Sequence, residues 1–235
     1  MHSQNTFAPV DMGNNVWMID LHEQGLPYRT GAYLIEDEKL TLIETGSAAS
    51  HEILIKGLKA RGYTPEDLSY VIVTHVHLDH AGGAAGLAEA LRARPEAGAV
   101  PIEGPDIRDA FLLEGIAAQA ASYGFDARNV TPDRWFQDGD SVVLGPHRFD
   151  ILHCPGHTPG HVVFVNHAAR FALVGDVLFQ GSVGRTDFPY GDHEALIGAI
   201  RTKLLPLGDE FSFLCGHGPG STIGAERRTN PFLRQ

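Results

Sequence analysis

Residues 70–80 read Tyr70-Val71-Ile72-Val73-Thr74-His75-Val76-His77-Leu78-Asp79-His80. The first part is a compact run rich in β-branched residues, the composition of a buried strand. The second part sets four metal-competent side chains, His75, His77, Asp79 and His80, within six positions. Apolar spacing of helical type resumes from about Gly83 to Arg94, so the cluster occupies a loop between a strand and a helix. Side chains on such a loop converge on one point with a rigid strand behind them. One histidine in a polar loop is usually a satisfied structural residue; this cluster in this context is a metal site.

Upstream, Val16 to Ile19, Ala32 to Ile35 and Leu40 to Ile43 are short apolar strands, and Glu36-Asp37-Glu38-Lys39 is a hairpin turn. Ile53, Leu54, Gly57 and Leu58 recur at helical spacing, and Gly62 ends that helix. Thr64 and Pro65 start a further short turn. Downstream, Asp106 to Tyr123 reads as a helix with Ile107, Phe111, Leu112, Ile116 and Ala120 on one face. Strands follow at Ser141 to Leu144, Arg148 to Leu152, Val162 to Val165 and Phe171 to Val174. A helix spans His193 to Leu205, a buried strand Phe211 to Leu214, and Ser221 caps a helix running through Arg228. Strands and helices alternate in two successive sets with tight turns. Two mixed sheets packed face to face with helices outside fit this order better than one doubly wound parallel sheet. The best candidate joint between the two sets is Ala93 to Ala99.

Three of the downstream strands end in a glycine-rich turn carrying a histidine or an aspartate. Cys154-Pro155-Gly156-His157-Thr158-Pro159-Gly160-His161 follows the strand ending at Leu152, Gly175-Asp176 follows Val174, and Cys215-Gly216-His217-Gly218 follows Leu214. Glycine lets the backbone turn tightly around a site. Singly these are turns; jointly they supply the remaining members of a two-metal centre.

The chain has 235 residues, 43% hydrophobic and 20% charged, with a formal net charge of -11. This is globular composition, and the acidic balance opposes nucleic-acid and anionic-membrane partners. No apolar window reaches the length of a membrane span and no signal-type segment precedes Asp20, so a cytoplasmic location is expected. Two cysteines, Cys154 and Cys215, are too few for a disulfide framework and read as buried inert thiols. No G-x-S-x-G nucleophile turn occurs, so a serine triad has no support.

The H-x-H-x-D-H cluster, the later H-T-P-G-H, then G-D and G-H-G, resembles the metallo-β-lactamase superfamily over nearly the whole chain. The resemblance implies an α/β fold, a four-layer αββα sandwich of two mixed sheets with outer helices, forming one domain over residues 1–235. It implies that His75, His77 and His157 hold one metal and that Asp79, His80 and His217 hold a second. Asp176 would bridge both beside a hydroxide, with Asp79 orienting that hydroxide; Asp79 and Asp176 are then the catalytic carboxylates. Five imidazoles and two carboxylates suit two divalent ions, zinc or alternatively iron or manganese. His161 is either a partner of a ligand or a packed residue of its turn. His2, His22, His51, His147, His153, His167 and His193 take surface or structural roles.

Thr131 to Trp135, the Cys154 to His161 turn, Gly181 to Pro189 and Asn230 to Leu233 resemble the short bacterial type II glyoxalases. That family implies hydrolysis of S-2-hydroxyacylglutathione, typically S-D-lactoylglutathione, by a metal-bound hydroxide, with a small-molecule thioester as the partner. A thiolate, whose parent thiol has a pKa near ~8.5, leaves without a strong general acid. The C-terminal helical domain that holds glutathione in two-domain glyoxalases has no counterpart, and Gly218-Pro219 replaces the tyrosine that often follows the last ligand. Arg185 stands at the position of a basic residue and is either a contact for a substrate carboxylate or a surface arginine. The segment up to about Leu91 resembles other hydrolases of the superfamily, and Glu44 stands where an aspartate is usual. The rival activities are a persulfide dioxygenase with one iron, which shares the Gly184-Arg185-Thr186-Asp187-Phe188 pattern, and a lactonase or other ester hydrolase.

Overall fold

A computed structural model describes residues 8–23, 30–92, 100–124 and 127–234. The candidate joint at Ala93 to Ala99, and His2, lie outside the described residues.

Alternating side chains build the layers, because successive strand residues point to opposite faces. The first sheet contains β1 (Val10–Asp11), β2 (Val16–Asp20), β3 (Gly31–Ile35), β4 (Thr41–Ile43), β5 (Tyr70–Ile72), β6 (Ile102–Gly104) and β7 (Arg134–Trp135), in that spatial order. Its first four strands pair antiparallel, and β4 to β7 pair in parallel. The crossovers carry α1 (His51–Ala60), then α2 (Leu78–Ala81) and α3 (Ala84–Arg92), then α4 (Ala110–Ser122). The second sheet contains β8 (Ser141–Leu144), β9 (His147–His153), β10 (Val162–Asn166), β11 (Phe171–Gly175), β14 (Ser212–Cys215) and β15 (Ser221–Thr222), in the order β15-β14-β11-β10-β9-β8. A small hairpin, β12 (Leu178–Phe179) and β13 (Ser182–Val183), and the helices α5 (His193–Ala199) and α6 (Ile223–Thr229) complete it.

Three apolar layers follow from this alternation. Tyr33, Ile35, Ile43 and Ile72 of the first sheet face Phe149, Ile151, Val162, Phe164 and Leu173 of the second. The opposite face of the first sheet sets Ala32, Leu34, Leu42 and Val71 against Leu54 and Leu58 of α1 and Leu87 and Leu91 of α3. The opposite face of the second sheet sets Val163, Val165, Ala172 and Phe213 against Leu196, Ile200 and Ile223. The architecture is therefore the αββα sandwich expected from the sequence.

Several local expectations shift. The helix expected from Asp106 starts with a 3-10 turn, Ile107–Asp109, capped by Asp106, before α4 begins. Its buried face runs through Leu113, Ile116 and Ala120, whereas Ile107 and Phe111 are half exposed. Ile107 lies in that tighter first turn, and Phe111, at ~3.6 residues per turn, stands about 140° around the helix from Ile116. The helix expected from Gly83 is preceded by the single turn of α2, which carries Asp79 and His80. α6 is capped by Thr222, whose hydroxyl accepts from Ala225 N–H, and not by Ser221, which donates to the buried Glu226 instead. Among the described residues no helix is long and apolar enough to cross a membrane.

Candidate metal centre

Strand register brings the predicted residues to one edge of the sandwich. β4 and β5 run in parallel, with Ile43 beside Ile72, so Glu44 and the Thr74–His80 loop leave at the same end. β11 and β14 run in parallel with Gly175 beside Cys215, which places Asp176 next to Gly216 and His217. β9 and β10 pair with His153 opposite Val162, so the turn holding His157 and His161 closes at that same edge. Hydrogen bonds cross between the two sheets there: Val162 N–H donates to Thr74 C=O at 3.0 Å, and Gly31 N–H to Gly216 C=O at 2.9 Å.

Asp176 stands at the centre of the cluster. Its Oδ2 lies 3.0 Å from His217 Nε2, 3.4 Å from His157 Nε2 and 4.0 Å from His75 Nε2, and its Oδ1 lies 3.5 Å from His80 Nε2. Asp79 Oδ2 is 3.5 Å from His217 Nε2 and 3.9 Å from His80 Nε2. Among the described residues three groups have their ligand atoms within 4.8 Å of one another: the expected triplets His75/His77/His157 and Asp79/His80/His217, and Glu44/His75/His80, which joins them. The structure thus gathers all seven residues singled out from the sequence.

The ring nitrogens are sorted in a way that suits metal binding. A ligand histidine needs a partner for the nitrogen that does not coordinate. His75 Nδ1 meets Thr74 Oγ1 at 3.1 Å, His77 Nε2 meets the Tyr190 hydroxyl at 2.8 Å, and His217 Nδ1 meets Thr30 Oγ1 at 3.3 Å. His157 Nδ1–H donates to Arg185 C=O at 2.9 Å. His80 is the exception: its Nδ1 lies 3.4 Å from Glu44 Oε2, but neither buried atom makes a hydrogen bond within the chain. Each ring keeps its other nitrogen toward the cluster. The buried His75 Nε2, His157 Nε2 and Asp176 Oδ1 make no hydrogen bond within the chain. Buried polar groups left unpaired each cost about 1–3 kcal/mol, so converging ones fit a cation that would satisfy them together.

Electrostatics point the same way. Burial holds His75, His157 and His161 below the ordinary imidazole range and pushes His77 down to about 3. These rings are neutral near pH 7, the form that binds metal. Burial opposes ionisation of Asp176, yet His217 and His80 hold its carboxyl well below the usual range. Conversely, burial disfavours the charged forms of His80 and His217, but Asp176 raises both. Asp176 thus favours the charged forms of these two rings, as it would favour a cation in their place.

Other residues behave differently. His161 belongs to neither triplet; its Nε2 accepts from Asp176 N–H at 3.0 Å, and its ring stacks on His75 with centroids 4.6 Å apart. It steadies the backbone of Asp176. Arg185 lines the cleft, but its guanidinium is tied to Asp187 by two hydrogen bonds of 2.7 Å and lies over the Phe188 ring. Both cysteines are buried, and burial pushes each thiol up to about 12. The cleft over the cluster holds about 270 Å³ and is also bordered by Glu23, Ser47, Gln119, Tyr123 and Phe188.

Tyr190, Thr30 and Asp109 were not foreseen from the sequence. Asp109 is fully buried and accepts from Val76 N–H, Thr158 Oγ–H and Gly160 N–H. Its one local signal is its place two turns of chain after an isolated Gly-Pro, which carries no chemistry by itself. Glu44 was noted only as standing where an aspartate is usual; it adopts φ +70°, and its Oε1 accepts from Thr74 N–H at 3.2 Å.

This fold with a histidine–aspartate cluster at the sandwich edge defines a metal-dependent hydrolase, and residues 27–217 match the metallo-beta-lactamase superfamily. The chain belongs to that superfamily. It is 45% identical over 201 residues to hydroxyacylglutathione hydrolase GloC of Haemophilus influenzae, covering 84% of this chain and 89% of the relative. Among solved structures it is similar to TTHA1623 in a di-iron-bound form, with TM-score 0.72 and 36% identity over 88% of this chain and 96% of that one. It is also similar to BLEG-1 B3 metallo-beta-lactamase, with TM-score 0.72 and 30% identity over 89% and 96% of the two chains.

Proposed function

We propose that this hydrolase cleaves S-2-hydroxyacylglutathione thioesters of the S-D-lactoylglutathione type. The observation that carries the reading is the 45% identity to a hydroxyacylglutathione hydrolase across 84% of the chain. In this reading His75, His77 and His157 hold one divalent ion, Asp79, His80 and His217 hold another, and Asp176 faces both through its two oxygens. A pair of such ions supplies Lewis acidity and lowers the pKa of water toward ~7, with zinc, iron and manganese all compatible with the donor set.

The chain's own residues have defined tasks. Asp176, kept ionised by His217 and His80, sets the spacing of the two triplets. Asp79 exposes 40% of its side chain and lines the cleft, where it would also orient the attacking water. Tyr190 and Arg185 C=O fix His77 and His157 with their free nitrogens inward. Phe188 and Tyr123 border the cleft and limit water near the thioester, and Arg185 stands at its rim for a substrate carboxylate. No dedicated general acid is required, because a thiolate leaves unassisted at neutral pH.

The test is steady-state turnover of S-D-lactoylglutathione by metal-loaded protein, read as release of free thiol, beside an oxygen electrode with glutathione persulfide. Thiol release without oxygen uptake is expected. Oxygen uptake with persulfide and no thioester hydrolysis would overturn the reading in favour of an iron oxidoreductase.

A further inference from the structure

Asp109 is a carboxylate with no exposed surface, and none of the three donors it accepts from carries a charge. Val76 N–H at 3.0 Å comes from the loop between His75 and His77. Thr158 Oγ–H at 2.8 Å and Gly160 N–H at 2.5 Å come from the turn that begins with His157. Burying a carboxylate is costly unless its oxygens are well paired, so this group is held by those two loops and in turn holds them together. The fit is close on the backbone side as well. Asp106 N–H donates to Gly160 C=O at 2.9 Å, and a Cβ on Gly160 would lie 2.5 Å from Asp106 C=O and 2.6 Å from Asp109 N.

The two loops tied by Asp109 carry every member of one donor triplet, His75, His77 and His157. The other triplet is anchored elsewhere. Thr45 N–H and Thr45 Oγ–H both donate to His80 C=O at 2.8 Å, Gly83 N–H donates to Gly46 C=O at 2.8 Å, and His217 follows β14. From this arrangement we infer that Asp109 is the positioning residue of the three-histidine half of the centre, which it supports more than the half anchored through Thr45 and β14. The inference rests on the two-cation reading of the site and does not depend on the substrate.

Cobalt(II) titration of the metal-free full chain tests it, followed by the visible absorption of the bound ion and by chelator competition. The parent protein is expected to bind two equivalents. Asp109→Asn puts an amide N–H against one of the three donors. It is expected to keep one equivalent at parental affinity and to weaken the other about 10- to 100-fold, the usual cost of losing the support of a ligand histidine. Circular dichroism and melting of the metal-free variant report whether the fold survives. Thr158→Val removes one donor and keeps the carboxylate. It is expected to weaken the same equivalent by a smaller factor, and Thr158→Ser to restore it, which keeps the test open if Asp109→Asn does not fold. Parental affinity at both sites in the folded variants, or equal weakening of both, would overturn the inference. A parent chain that binds no cobalt would overturn it together with the two-cation reading, while absence of thioester turnover would leave it standing.

Discussion

A single methyl group at Gly216 tests whether the carboxylate of Asp176 is the pivot of the centre. Gly216 lies against the site between Cys215 and His217, and a Cβ built there would collide with Asp176 Oδ1 and fall 2.6 Å from His80 Cε1. Ordinary contact begins at 3.4 Å, so either the imidazole or the carboxylate must give way. The required displacement is on the order of 1 Å, and a misplacement of that size at a reacting centre costs about 100-fold in rate. The imidazole cannot retreat freely, since His80 is fully buried with Glu44 Oε2 3.4 Å behind its Nδ1. Overpacking of this kind costs the fold about 1–3 kcal/mol, which leaves an ordinary domain folded. Gly216→Ala is therefore expected to melt somewhat lower in the metal-free form, to bind metal at least tenfold more weakly by chelator competition, and to lose about two orders of magnitude in turnover. Parental metal affinity and turnover in a folded Gly216→Ala would refute the claim that Asp176 and His80 meet on this edge.

Three further outcomes follow from the same geometry. Tyr190→Phe deletes only the hydroxyl 2.8 Å from His77 Nε2, so metal affinity is expected to fall about 10-fold with the melting temperature of the metal-free protein nearly unchanged. Asp176→Ala removes the carboxylate that faces both triplets; metal content measured by elemental analysis should drop and hydrolysis should disappear, and normal turnover would contradict its role. Acid should destabilise the metal-free chain: His77 titrates at about 3 when folded and near 6.5 when unfolded, so the unfolded state binds more protons below pH 6.5. His77 alone then contributes a loss of about 2 kcal/mol by pH 5, joined by His75, His157 and His161, whose pKa values are also lowered. His80 and His217 act in the opposite sense, their stabilisation being present at low pH and lost as pH rises through their raised folded values. Thermal melts of chelator-treated protein from pH 5 to 8 check the balance.

The candidate ligands were legible because each lies on the loop or short turn that directly follows a strand, where local pattern is informative. His75 to His80, His157, Asp176 and His217 all arrive that way. Their supports were not legible, because they act across the chain. Tyr190 is 113 positions from His77, Thr30 is 187 from His217, and Asp109 is 49 from Thr158. Each is a common residue type whose role exists only once the sheets have packed. The sandwich itself could be read from apolar runs such as Ala32 to Ile35 and Val162 to Val165, whose residues alternate between the inner layer and the helix-covered faces. β6, with the sequence Ile102-Glu103-Gly104, and the two-residue β7 lack the apolar run that declares the equally short β4 and β5. The face of α4 was legible in part: Ile116 and Ala120 are buried as expected, whereas Ile107 lies in the 3-10 turn before the helix and Phe111 stands on another side of it.

On the proposed reading, two cations held by the two triplets around Asp176 make one hydrolytic centre. Titrating metal-free protein with zinc or iron(II) while following S-D-lactoylglutathione hydrolysis tests it most directly. Thioester turnover is expected to be negligible without metal and to rise until two equivalents per chain are bound. Full activity reached at one equivalent, with no further change at the second, would contradict it.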